Sequence, residues 1–174
     1  PDVPATCLST TQLNTVFAPS STATNWTLVD TTSGDLALST YALPDNTTTF
    51  TLLDDIVGGV GVRSDVTTLA DSAAIVDAVS TTSGAVGAVS LPAALAAGDS
   101  VKILQLNTTT AGCAVPSAET AAGRTYTAAY TLYAYANSAS VEAVQPIFAA
   151  AFAETSAEVI DGAGFIAPTA ASIS

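Results

Sequence analysis

The residues of this chain best suited to hold a ligand are four consecutive polar ones, Asn46, Thr47, Thr48 and Thr49, inside the stretch Leu43-Pro44-Asp45-Asn46-Thr47-Thr48-Thr49-Phe50-Thr51-Leu52-Leu53. Pro44 and the polar residues after it read as a tight turn, and Phe50, Leu52 and Leu53 begin a helix. The first N–H groups of a helix have no partner within it, and the positive end of the helix dipole lies there. Hydroxyls and free amides gathered at that point can bind an anion or oxyanion. Ordinary capping by Asp45 or Asn46 produces the same pattern, and on spacing alone that plainer reading stands ahead.

Other chemistry has little to work with. The chain has no histidine, which removes the usual zinc sites, Ser-His and Cys-His nucleophile pairs and imidazole bases. Asp54-Asp55 and the pair Asp71 and Asp77 could be drawn as acid–base partners, but acids on a helix usually form a solvated face. With no nucleophile-and-base constellation, an enzyme is not expected, and no cofactor is called for. Cys7 and Cys113 are far apart and in no CxxC pair. A disulfide between them would close a loop of about a hundred residues, worth up to about 4–5 kcal/mol in the chain-entropy model. That reading, with an oxidising compartment, is preferred to two buried thiols.

Elements that must position the turn follow from caps and periodicity. Ser9-Thr10-Thr11-Gln12 has the form of a capping box, with Leu13, Val16 and Phe17 on one face of a helix that Pro19 stops. Leu36–Leu43 reads as a strand entering the turn, and the helix after it runs through Ile56-Val57 to Gly58-Gly59. Asp71–Val79 reads as an amphipathic helix, Ala85–Leu91 as a buried strand, Pro92–Ala97 as a helical turn and Val101–Leu106 as a strand. A further strand is expected over Thr125–Ala136, carrying Tyr126, Tyr130, Tyr133 and Tyr135. The tail Val141–Asp161 is expected to be helical and bent at Pro146, with Val144, Ile147, Phe148, Ala151 and Phe152 buried. Phe17, Trp26, Phe50, Phe148, Phe152 and Phe165 are the expected anchors of a core made mostly of small side chains. Strands alternating with helices argue for an α/β layer architecture.

Composition narrows the partners. The 174 residues suit one domain, or two small lobes, with enough length for a real core. Fifteen acids against Arg63, Lys102 and Arg124 give a net charge of −12, which lacks the basic footprint of a nucleic-acid binder and disfavours an anionic membrane surface. No apolar run is long enough to span a bilayer. A beginning at Pro1, with no Met or signal segment, reads as a processed or cut terminus. Asn25-Trp26-Thr27, Asn46-Thr47-Thr48 and Asn107-Thr108-Thr109 have the form of glycan acceptors, a form that arises by chance in a threonine-rich chain.

Taken in order, several stretches resemble the substrate-binding proteins of bacterial phosphate ABC transporters, the PstS-like proteins of the periplasmic type II binding fold. Cys7-Leu8-Ser9-Thr10-Thr11-Gln12-Leu13 through Val16-Phe17-Ala18-Pro19 and Asn25-Trp26 is similar to the start of that family's second lobe. Asn46-Thr47-Thr48-Thr49-Phe50 falls where the family has Asp-Ser-Gly-Thr-Phe, and Arg63-Ser64-Asp65 where a subgroup has Arg-Ser-Asp. Gly84–Val89 resembles a Gly-x-Ile-Gly-Tyr-Val strand, Gly112–Thr120 a Gly-Cys-x-x-Pro-Ser-x-Glu-Thr segment, and Gly164–Pro168 a terminal Gly-Tyr-x-Pro.

The resemblance implies an α/β, type II binding-protein-like lobe, a mixed sheet flanked by helices. It would form a single domain over 1–174, with 1–100 corresponding to the second lobe and 101–174 to the return segment and C-terminal helices. It also implies phosphate held by Asn46, Thr47, Thr48, Thr49 and Arg63, and a location outside the cytoplasm. The departures weaken that grip. Asn46 cannot be the carboxylate that accepts the ligand's proton, and Thr48 puts a β-branched side chain where glycine allows close backbone approach. Tyr130 stands where the family carries Arg, and the family's first lobe has no counterpart in this sequence. The expectation is a non-enzymatic domain whose degenerate site has left it a structural or partner-binding accessory subunit. The alternative is a working phosphate or oxyanion receptor feeding a transporter.

Overall fold

A computed structural model describes residues 2–107, 112–133, 135–163 and 165–167. Thr108, Thr109, Ala134, Gly164 and Pro168, which enter the sequence expectations, lie outside the described residues. Strand and helix alternate through the first part: β1 Cys7–Ser9, α1 Thr10–Phe17, β2 Ser39–Ala42, α2 Thr48–Val57, β3 Thr67–Thr68, α3 Ser72–Thr81, β4 Ala85–Gly87, α4 Leu91–Ala96 and β5 Gln105–Asn107. Helices α5 Ala118–Ala122, α6 Val141–Ala151 and α7 Ala157–Gly162 follow. The chain divides into two compact units, Pro1–Tyr130 and Thr131–Ser174.

The fold is α/β, as the alternation of elements implies. In the first unit β1 pairs with β5 in parallel, and β2 lies between β3 and β4, also in parallel, with Thr40 opposite Val86 and Tyr41 opposite Thr67. Among the described residues, antiparallel pairing occurs only in single bridges, Asn25 to Ala37 and Leu106 to Ala114. Parallel strands need crossovers, and α2 and α3 stand between the strands of the three-stranded sheet.

Each of the first three helices begins where a side chain satisfies its free N–H groups. Ser9 and Gln12 form the full capping box of α1, and α1 ends at Ala18, extended because Pro19 follows. Asp71 caps α3 by accepting from Ala74 N at 2.9 Å. For α2 the cap is Thr47, rather than Asp45 or Asn46. Its C-terminal end is closed by Gly58 at φ 118°, a left-handed conformation that glycine adopts without a Cβ penalty.

The core of this unit gathers Leu8, Leu13, Val16, Phe17, Trp26, Leu53, Val57, Val86 and Leu106. Trp26 is wholly buried, and its Nε1 donates to the carbonyl of Gly84 at 2.7 Å. Gly84 itself, at φ 70°, passes so close to the neighbouring chain that a Cβ there would stand 2.0 Å from the Ala37 carbonyl oxygen. The disulfide expected between Cys7 and Cys113 is present, with Cα atoms 6.0 Å apart; it joins β1 to the segment that bridges back onto β5.

Three expectations fail. No strand forms over Thr125–Ala136 among the described residues. Threonine and tyrosine favour a strand only when a neighbour supplies a ladder, alanine does not favour one, and among the described residues no strand pairs with this segment. Of its tyrosines Tyr126 packs against the core, while Tyr130, Tyr133 and Tyr135 are exposed. Second, the tail is helical in two pieces, but the face through Ile147 and Phe152 is not buried, and Phe165 is exposed as well. Third, the strands over Leu36–Leu43, Ala85–Leu91 and Val101–Leu106 contract to their paired residues, three or four each. No described helix is long and apolar enough to cross a membrane.

Candidate functional site

The turn before α2 is built by its own polar groups. Thr47 N–H donates to the Pro44 carbonyl at 3.1 Å and its hydroxyl donates to the same oxygen at 2.7 Å. That hydroxyl oxygen also accepts from Phe50 N–H at 3.3 Å. The Thr47 carbonyl takes the N–H and the hydroxyl of Thr51. Thr47 is therefore spent on making the turn.

Thr48 and Thr49 are left, with backbone N–H groups and hydroxyls that have no hydrogen-bond partner among the described residues. Asn46 is exposed and equally unengaged. Two amides and two hydroxyls at the start of a ten-residue helix are enough to attract an anion weakly through the helix dipole. No positive charge is bonded to them, and the neighbouring Asp45 is exposed.

Arg63 lies elsewhere in the hydrogen-bond network. It is 5% exposed, and its Nη1 donates to the carbonyls of Val16 at 3.2 Å and Ala23 at 2.8 Å. Nε and Nη2 grip the two carboxylate oxygens of Asp65, the second at 2.7 Å. Its backbone N–H donates to the Phe17 carbonyl at 2.8 Å. The guanidinium thus ties the last turn of α1 to the two loops that follow it, and four of its five N–H groups are committed. Asp65 raises the basicity of Arg63, chiefly through this hydrogen bond, against the opposing effect of burial. In return the Arg63 hydrogen bond holds the Asp65 carboxyl below its ordinary value. The Arg-x-Asp spacing makes this pair legible in sequence; the two carbonyls that Arg63 reaches are not.

An open cleft of about 480 Å³ lies beside α2, lined by Leu52, Asp55 and Ile56 with Thr10, Thr127, Ala129 and Tyr130. It contains none of Asn46–Thr49, and its only charged lining residue is an acid, so it does not present a phosphate pocket. Of the acids considered for catalysis, Asp71 caps α3, and Asp54 accepts from Gly61 N–H at 2.7 Å. No group of three or more His, Cys, Asp or Glu suited to a metal ion occurs among the described residues.

No protein-family model matches the sequence, and no curated protein does. Solved structures do match in fold. A possible phosphate-binding protein from Planctomyces limnophilus DSM 3776 superposes with a TM-score of 0.76 at 19% identity, covering 97% of this chain and 61% of that one. An ABC-type phosphate transport receptor from Vibrio cholerae gives 0.71 at 21% identity, over 95% and 66%. PstS from Borrelia burgdorferi gives 0.75 at 17% identity, over 96% and 66%. At these identities the likeness is one of fold, and this chain spans 61–66% of the length of those proteins.

Proposed function

We propose that this chain, carrying the fold of PstS-like phosphate-binding proteins over part of their length, is a non-enzymatic domain. On this reading its ligand turn no longer grips phosphate, and the domain serves as a structural or partner-binding subunit outside the cytoplasm. The observation that carries the reading is the employment of Arg63: its buried guanidinium serves carbonyls of its own fold and Asp65, which leaves the Asn46–Thr49 turn without a bonded cation. Charge-assisted hydrogen bonds are worth about 1.5–3 kcal/mol each, so a turn reduced to neutral donors loses most of a micromolar affinity. Two of these solved structures are described as a possible phosphate-binding protein and a phosphate transport receptor, which supports a binding ancestry without catalysis. The disulfide supports an extracytoplasmic setting.

Calorimetric titration of the chain with inorganic phosphate tests the reading. The expected dissociation constant is weaker than about 1 mM; micromolar binding overturns the proposal.

One observation favours the second reading, a working oxyanion receptor: the free N–H and hydroxyl groups of Thr48 and Thr49. That reading requires Thr48→Val with Thr49→Val to weaken phosphate or sulfate binding by roughly tenfold or more. An unchanged titration removes it.

A further inference from the structure

We draw no further inference here: the strongest candidate, the open cleft beside α2 lined by Leu52, Asp55, Ile56 and Tyr130, has an acid as its only charged lining residue, and nothing in the structure shows what covers it.

Discussion

Asp65 shows how a buried cation, Arg63, is anchored. Its carboxyl is held below the ordinary value of 3.8, first by the Arg63 hydrogen bond; Asp2 is lowered likewise by the Ser83 hydroxyl and Asp30 by the Thr32 backbone N–H. A carboxyl whose folded value is depressed binds its proton more weakly in the folded chain than in the unfolded one. It therefore stabilises the fold above the ordinary value, and that contribution is lost as pH falls through the depressed one. Asp65→Asn should cost about 0.5–1 kcal/mol at neutral pH, because Asp65 is largely exposed. The difference from the parent should shrink as pH falls through the depressed value and vanish below it, where Asp65 is neutral in the folded chain as well. Urea unfolding at a series of pH values measures both; a difference that persists in acid would mean Asp65 acts through something other than charge.

At the scale of elements, caps were the most legible part of the sequence. Ser9 with Gln12 fixed the start of α1 and Gly58 the end of α2, since each signal is local and supplies a bond the backbone lacks, whereas Asp71 was read as the first residue of α3 and proves to be its cap. Thr47 was missed as a cap because four polar neighbours compete for one place, and only the turn geometry decides among them. Strand extent was less legible than strand location, since a ladder depends on a partner far away in sequence. Periodicity found the face of α6 but could not say whether anything covers it. The close approach of chain segments at Gly84 was equally invisible in sequence. Gly84→Ala would push a methyl against the Ala37 backbone and disturb the carbonyl that receives Trp26. A loss of about 2 kcal/mol or more is expected, read from the denaturation midpoint and from Trp26 fluorescence; unchanged stability would mean the loop at Ala37 yields freely.

For the whole molecule, the α/β frame stands chiefly on Trp26, α1 and the paired strands, and Asn46–Thr49 contribute to it through the Thr47 cap of α2. Resemblance across the ordered motifs pointed to the frame, and the hydrogen-bond network then showed how the chain employs Arg63. The Cys7–Cys113 bond spans a sequence separation of 106, so its reduction should lower stability by up to about 4–5 kcal/mol in the chain-entropy model. Chemical denaturation with and without reductant measures this. A shift near zero would mean that the reduced, unfolded chain is already compact. The same bond divides the molecule topologically. Residues 7–113 form a covalently closed ring, and everything after Cys113, including α6, hangs from it as an open tail. A protease cut at an exposed site inside the ring, such as the Gly58-Gly59-Val60-Gly61 loop, releases nothing until the chain is reduced. A single cut between Cys113 and α6 breaks the covalent link to α6 and leaves the ring closed.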